Sequence, residues 1–200
     1  MTESAVEAQA QARNRARTVQ KAVWLVGAGL ILLMLGGLVL MSKPWNAGWW
    51  PGVSEASTVA GPCVVLAEPA ERLTPGKTPA SSPYDRPGRT ACTAGDVTDE
   101  ASLRLAYERE EWSFIRHPES GVTAAHHRLA SRVGTDTGTW KPVSGLGDEA
   151  YRKDSRGTSQ IRARKGNVVV DVSYSDSNGK ADLPVQAEHV ARAALAEIVF

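Results

Sequence analysis

The chain has 200 residues and a formal net charge of +1, and 42% of its residues are hydrophobic. This length suits one folded domain with an attached segment, and the composition argues against a wholly disordered chain. A net charge so close to zero argues against a nucleic-acid-binding protein, which normally needs a strongly basic surface. The two Cys residues are too few for a disulfide-rich mini-protein or for a zinc site of paired Cys-x-x-Cys motifs.

A long apolar run follows a basic leader at residues 1–21. Residues 22–41 read AVWLVGAGLILLMLGGLVLM, without a charge or a proline. A helix of this length is about 30 Å long, which matches the hydrocarbon core of a bilayer. A buried core helix and a cleaved signal peptide are the alternatives, but a signal peptide has a shorter apolar region and a small-residue cleavage site. The run therefore predicts an uncleaved signal anchor that spans the membrane once.

The flanks of the apolar run predict its orientation. Four basic residues precede it, Arg13, Arg15, Arg17 and Lys21, and Lys43 alone follows closely. Positive charge concentrates on the cytoplasmic side, so we expect a cytoplasmic N-terminus and an extracytoplasmic C-terminal domain at the cell membrane. Tryptophan prefers the headgroup level. The predicted membrane-interface residues, which would contact the lipid bilayer at the two edges of the span, are Trp24, Trp45, Trp49 and Trp50.

Residues 42–60 form a Trp-, Pro- and Gly-containing linker, and residues 61–200 form the predicted extracytoplasmic domain. On the oxidising side of the membrane, Cys63 and Cys92 are expected to form a disulfide. A catalytic thiol is the alternative for these residues. Between them lies a Pro-rich stretch, residues 74–89, with prolines at every fourth position. Proline excludes a helix or a central strand there, so we expect an exposed loop.

Downstream residues alternate between apolar and polar. Leu103, Leu105 and Tyr107 predict a strand with one buried face, and Glu119–Val133 has a helical pattern. Two strands at about Thr158–Arg164 and Asn167–Ser175 are joined by a short turn, which predicts a hairpin. A helix follows from about Leu183, capped by Asp182. The expected fold is α+β: a single transmembrane helix, then a small antiparallel sheet with helices packed on one face.

Several of these stretches together resemble a known family. They are Gly61-Pro62-Cys63, a second Cys about thirty residues on, Val143-Ser144-Gly145-Leu146-Gly147-Asp148-Glu149-Ala150-Tyr151, the Arg164–Val172 hairpin and a closing Ala-rich helix. The chain is similar over residues 60–199 to an actinobacterial family of small exported or lipoprotein-like domains of unknown function. Those domains are distantly like the extracellular sensor domains of bacterial membrane kinases. The resemblance implies no catalytic residues, and this chain differs by its membrane helix and its proline-rich insertion.

Candidate chemistry in the sequence is sparse. His126 and His127 are adjacent, so on a helix they point about 100° apart and cannot bind one metal from the same face. Asp148 and Glu149 would point to opposite faces of a strand, and Gly145, Gly147 and Asp148 are typical of a tight turn. We therefore expect no catalytic, metal-binding or cofactor-binding residues. A cationic patch for an anionic partner is one option, with a mixed solvated surface as its alternative; its residues are Arg152, Arg162, Arg164 and Lys165.

These observations predict a non-catalytic single-pass membrane protein. Its extracytoplasmic domain would bind a ligand or an envelope partner, either a protein or a cell-wall polymer, as a sensor or a scaffold. Nucleic acid is not expected as a partner, and no oligomeric state follows from the sequence. The alternative is a cell-envelope hydrolase with a site that no motif reveals.

Overall fold

A computed structural model describes residues 24–43, 45, 55–82, 87–96, 98–112, 119–179 and 182–200. The chain divides into two compact units, residues 1–44 and 45–200. In the first, helix α1 (Trp24–Ser42) has a mean hydropathy of 2.4 over its most apolar window, of which only 6% is buried. Among the described residues it is the one helix long and apolar enough to cross a membrane. Residues 1–23, which include the leader and the predicted start of the span, lie outside the described part.

The second unit is built on a seven-stranded antiparallel sheet with the strand order β2-β3-β4-β8-β7-β6-β5. In chain order its strands are β2 (Ala80–Ser81), β3 (Arg89–Ala94), β4 (Ala101–Arg109), β5 (Lys141–Pro142), β6 (Glu149–Ser155), β7 (Thr158–Lys165) and β8 (Val168–Asp176). The predicted hairpin is confirmed as β7 and β8. The sheet is larger than the small one expected.

The short strands β1 (Thr58–Val59) and β9 (Ile198–Val199) form a separate antiparallel pair. Ser57 adds a backbone hydrogen bond to the carbonyl of Val199 at 2.8 Å. The backbone N–H of Ala56 donates to Oδ1 of the buried Asn167 at 2.7 Å. Residues 55–60, assigned to the linker by the sequence analysis, are thus part of the folded unit in this structure.

Three helices complete this unit: α2 (Pro62–Leu73), α3 (Gly121–Thr135) and α4 (Leu183–Ala196). The predicted cap of α4 is present, because the Asp182 carboxylate accepts from the N–H of Val185 at 3.5 Å. Ser120 caps α3 in the same way through the N–H of Thr123 at 3.2 Å. Side-chain oxygens at these positions satisfy N–H groups that a helix leaves without partners.

The main core lies between the sheet and helices α2 and α4. On β8, the side chains of Val168, Val170, Val172 and Tyr174 are buried in this core. Leu103, Leu105 and Tyr107 of β4 join them, as the alternation in the sequence predicts. Each buried aliphatic side chain of this kind contributes roughly 1.5–3 kcal/mol through removal from water. Burial of these side chains therefore stabilises the packing of α2 and α4 on the sheet.

Helix α3 packs on the opposite face of the sheet. Its Ala125 and Leu129 form a smaller cluster with Val169, against which Tyr151 also packs. Val169 lies between Val168 and Val170 on β8, and successive side chains of a strand point to opposite faces. The predicted α+β class is confirmed, but the helices occupy both faces rather than one.

The predicted disulfide between Cys63 and Cys92 is present. It joins the first turn of α2 to β3, with a Cα–Cα distance of 5.1 Å. The Pro-rich stretch that it closes contains the two-residue strand β2, which lies at the edge of the sheet. That edge position agrees with the expectation that prolines exclude a central strand. Residues 83–86 of this stretch lie outside the described residues.

Candidate functional site

The face of the sheet that carries α3 is divided into two parts. Near the β7–β8 turn, α3 covers the positions around Val169 and Asp171. Farther along the strands, none of the helices α2, α3 and α4 lies over this face of the sheet. We call these parts the covered half and the open half. The open half consists of Thr93, Ser102, Arg104, Thr158, Gln160, Ser173 and Ser175, which share one face by strand register.

The covered half holds charged side chains that neutralise one another. Arg132 of α3 contacts the buried Glu108 of β4 and lies 4.0 Å from Asp171 of β8. Arg128 of α3 donates to Glu110 at 2.9 Å. Burial lowers the pKa of Arg132, while the nearby carboxylates of Glu108 and Asp171 act in the opposite direction. These ion pairs, together with the small apolar cluster, attach α3 to the sheet.

Trp140 lies between two cations at the β6–β7 side of the covered half. Nζ of Lys153 is 5.1 Å from the ring centroid, and the guanidinium carbon of Arg162 is 4.5 Å from it. Both cations also bind Asp136, at 2.9 and 3.1 Å. The hydrogen bond from Lys153 is the largest cause of the lowered pKa of Asp136. Cation–π contacts and ion pairs together fix the segment that follows α3.

The predicted glycine turn is confirmed. Gly145 and Gly147 have φ angles of 73° and 67°, a left-handed conformation that favours glycine. A Cβ atom on Gly147 would lie 2.4 Å from the carbonyl oxygen of Arg164, so the turn packs directly on the hairpin. The carboxylate of Asp148 accepts from the N–H of Gly166 at 2.8 Å. The turn at Gly145–Asp148 and the β7–β8 hairpin therefore pack together as one structural unit.

Glu149 and Asp148 bind Arg164 rather than forming an acid pair. Arg164 donates to Glu149 at 2.7 Å and to Asp148 at 3.1 Å. His126 also contacts Glu149, through Nδ1 at 2.8 Å. Burial raises the pKa of Glu149, but hydrogen bonds from His126 and Arg164 outweigh burial and hold that pKa below its usual value. Such a carboxylate is ionised and saturated with donors, an arrangement that suits a structural role.

The two adjacent histidines have different partners. His126 binds Glu149, whereas Nε2 of His127 lies 3.6 Å from Glu119. Within the described ranges, no group of three or more His, Cys, Asp or Glu side chains is placed to hold a metal ion.

The open half presents short hydroxyl side chains in two rows across the strands. One row runs through Thr93, Arg104, Ser173 and Gln160 on β3, β4, β8 and β7. The next row contains Ser102, Ser175 and Thr158, and the hydroxyls of Thr158 and Ser175 are 2.9 Å apart. All of these side chains except that of Arg104 are half-buried, and Arg104 is exposed. The surface is therefore polar and rich in groups that both donate and accept hydrogen bonds.

A cavity of about 700 Å³ opens at one end of this surface, beside β2, β3 and β4. Its lining consists of Thr78, Ala80, Ser81, Ser82, Thr93, Gly95, Asp96 and Arg104. Arg104 makes no ion pair with any residue of the described ranges. The volume of this cavity falls in the range of small-molecule sites, which span roughly 300–1,000 Å³. The open half and this cavity together form the candidate site.

The four residues of the predicted cationic patch do not form one open surface. Arg152 lies on the α4 side of the sheet, bound to Asp154 at 3.0 Å. Arg162 and Arg164 lie on the α3 side with carboxylate partners, and only 10% of the Arg164 side chain is exposed. Lys165 donates to the carbonyls of Leu195 and Ile198 at 2.9 and 3.1 Å. Because each cation already has an oxygen partner, the geometry does not favour the patch as an anion-binding surface.

Of the predicted membrane-interface residues, Trp24 is the first residue of α1 and is exposed along with that helix. Trp45 is also exposed. Trp49 and Trp50 lie outside the described residues.

The open half is missing from the predicted site residues. The alternation on β4 does place Ser102 and Arg104 opposite the core, and the alternation on β8 does the same for Ser173 and Ser175. The joining of these residues into one surface depends on the pairing of β4 with β8. That pairing brings together strands about seventy residues apart, and no local pattern indicates it.

The chain matches no protein-family model, and a comparison with curated proteins finds no significant match. Inference about function therefore depends on the geometry of the described residues.

Proposed function

We propose that the chain is a non-catalytic, single-pass membrane protein whose extracytoplasmic domain binds a ligand or an envelope partner through the open half. The observation that carries this proposal is the incomplete cover of the second sheet face. Helix α3 covers the positions around Val169 and Asp171 and leaves the rows through Ser173 and Ser175 without a described helix over them.

The location is supported by three features. Helix α1 is apolar enough to span a bilayer, and the leader before it has more basic than acidic residues. The Cys63–Cys92 disulfide is of the kind that persists in oxidising compartments. Together these features favour an anchor with a cytoplasmic N-terminus and a domain outside the cytoplasm.

A binding role is supported by the distribution of charge. On the covered half, Arg132, Arg162 and Arg164 are each bound to carboxylates and help to hold the fold together. On the open half, the side chains left for contact are hydroxyls, one amide and Arg104. These groups recognise a partner by hydrogen bonds and by charge. If the partner is a signal molecule, the domain is a sensor. If the partner is a structural component of the envelope, the domain is a scaffold.

A site-specific photocrosslinking experiment tests this proposal. A photoreactive benzoylphenylalanine replaces Gln160 on the open half in the full chain, expressed in a bacterial membrane. The matched control carries it at Arg192, an exposed position of α4 on the other side of the sheet. We expect an adduct with envelope material at position 160 and none at position 192. The absence of any adduct at position 160, or equal adducts at both positions, would contradict the proposal.

A further inference from the structure

We infer that the ligand of the open half is an acidic saccharide, in which sugar hydroxyls are combined with a carboxylate or phosphate group. This inference rests on the proposed binding function and assigns its ligand chemistry. Arg104 would bind the acidic group, and the hydroxyl rows beside it would bind the sugar.

The acidic group is indicated by Arg104. A guanidinium group matches the two oxygens of a carboxylate or phosphate with two parallel hydrogen bonds. Arg132, Arg162 and Arg164 on the same face already form ion pairs with carboxylates of the protein. Arg104 is exposed and makes no ion pair with any of the described residues. Its guanidinium is therefore open to an oxyanion supplied by a ligand.

The sugar is indicated by the residues around Arg104. Thr93 and Ser173 lie directly opposite Arg104 on the two neighbouring strands. Ser102, Ser175 and Thr158 form the next row on the same face. A hydroxyl group both donates and accepts hydrogen bonds, as a sugar hydroxyl does.

The dimensions of the open half favour an oligosaccharide over a monosaccharide. The row from Thr93 to Gln160 crosses four strands. With neighbouring strands about 4.8 Å apart, this row is about 14 Å long. It continues beyond the cavity of about 700 Å³, which lies at its β3 end. An oligosaccharide can occupy the cavity and also extend along the row.

The same residues disfavour two other ligand classes. A lipid tail needs an apolar wall, and Ala80 is the one apolar side chain among the described residues that line the cavity. Single-stranded nucleic acid is bound largely by aromatic stacking. The described residues of the two rows are hydroxyls, Gln160 and Arg104, with no aromatic ring among them.

The test is calorimetric titration of the full chain in lipid nanodiscs with four probes. Tetragalacturonate carries carboxylates, and glucose 1-phosphate carries a phosphate. Maltotetraose is a neutral sugar chain, and inorganic phosphate is an oxyanion without a sugar. We expect at least one of the acidic sugars to bind at least about tenfold more tightly than maltotetraose and than inorganic phosphate. Comparison of the two acidic sugars distinguishes a uronate ligand from a phosphorylated one.

Three variants test whether Arg104 contributes to binding of the acidic sugar. Arg104→Gln should weaken binding of the acidic sugar about tenfold or more, because a charged hydrogen-bond donor is lost. Ser173→Glu should weaken it similarly, since the new carboxylate lies opposite Arg104 and competes for the guanidinium. The matched control, Arg156→Gln, removes an exposed arginine from the β6–β7 turn and should leave affinity within about twofold.

Three results would overturn the inference: equal binding of maltotetraose, equal binding of inorganic phosphate, or unchanged affinity in Arg104→Gln. If no sugar binds but position 160 still forms its adduct, the ligand class is wrong and the binding function stands. If neither the adduct nor sugar binding is found, the proposed function fails as well.

Discussion

The carboxylate of Asp148 accepts hydrogen bonds from the guanidinium of Arg164 at 3.1 Å and from the backbone N–H of Gly166 at 2.8 Å. Two turns distant in sequence are thereby joined. Asp148→Ala should lower the free energy of unfolding by about 1–2 kcal/mol, because both donors lose their acceptor while Arg164 keeps Glu149. Asp148→Asn should cost less, since it keeps an acceptor oxygen. Urea unfolding checks both, with Glu68→Ala on the exposed face of α2 as a control expected within about 0.5 kcal/mol.

The two turn glycines should respond differently to alanine. At Gly145 a Cβ atom meets nothing within 4 Å, so Gly145→Ala should cost only the strain of positive φ, about 1–2 kcal/mol. At Gly147 a Cβ atom would lie 2.4 Å from the Arg164 carbonyl oxygen, so Gly147→Ala adds a backbone collision to the same strain. We expect Gly147→Ala to exceed Gly145→Ala by more than about 1 kcal/mol in urea unfolding. Equal losses of unfolding free energy in the two variants would show that Gly147 does not pack closely against the hairpin.

The disulfide should contribute strongly to stability. Cys63 and Cys92 are 29 residues apart, and the chain-entropy account gives about 3–4 kcal/mol for a loop of this length. The double variant Cys63→Ala/Cys92→Ala should lose this amount in chemical unfolding. Dithiothreitol should shift the wild-type transition in the same direction and leave that of the double variant unchanged. A wild-type transition insensitive to complete reduction would contradict this expectation.

Glu55 links the beginning of the domain to α3, because its carboxylate accepts from the N–H of Gly121 at 2.8 Å. Burial is the main cause of its raised pKa, and the nearby Glu111 adds to it. The native state therefore holds the Glu55 proton more tightly than the unfolded chain does. The stability that this proton contributes is fully present below the unfolded pKa, near 4.5, and is lost as pH rises through the folded pKa.

Glu55→Gln should remove the loss of stability that accompanies a rise in pH, while keeping a side-chain acceptor for the N–H of Gly121. We expect the variant to be more stable than wild type at pH 7 and nearly equal to it at pH 4, measured by thermal unfolding across that range. Glu55→Ala is the contrast, because it also lacks the titrating carboxyl but deletes the acceptor, so it should be about 1 kcal/mol less stable than Glu55→Gln at both pH values. A constant difference between Glu55→Gln and wild type at all pH values would contradict this expectation.

The proposed topology makes a separate prediction. Protease added to intact spheroplasts should digest the C-terminal domain and leave an N-terminal tag on the leader protected. The reason is that basic residues before α1 favour retention of the N-terminus in the cytoplasm. Permeabilised spheroplasts, in which the tag is also lost, serve as the control. Protection of the domain with loss of the tag would indicate the opposite orientation.

Elements with a strong local signal were predictable from the sequence. The alternation along β7 and β8 and the turn at Gly166 define the hairpin without knowledge of anything else in the fold. The C-terminal helix has its cap, its proline in the first turn and a regular apolar stripe. In these cases, local conformational preference and burial favour the same structure.

Helix α2 is a counterexample. Pro69 lies inside it and cannot donate to the preceding turn, so the local pattern argues against a helix there. Packing decides otherwise, since Leu66, Pro69 and Ala70 are buried against the sheet. The position of α3 on the face opposite α2 and α4 was likewise not predictable from local sequence, because an apolar side chain such as Leu129 can pack on either face of a sheet. The choice depends on charged partners such as Glu108, which belong to distant strands.

The candidate site was the least predictable part. Arg104 and Ser173 are each ordinary exposed-face residues of their own strands. Their proximity follows from strand register over a long sequence separation. In addition, the ion pairs of Arg132, Arg162 and Arg164, with which Arg104 contrasts, are known only from side-chain positions.

The pairing of β1 with β9 places Thr58 beside Val199, so the first and last strands of the domain lie side by side. Both ends of the segment from β1 to β9 therefore leave the fold at neighbouring points. This segment could be spliced into a surface loop of an unrelated host, or circularly rearranged with a short joining peptide, without stretching its backbone. An enzyme or fluorophore fused after Phe200 would emerge next to β1 rather than over the open half.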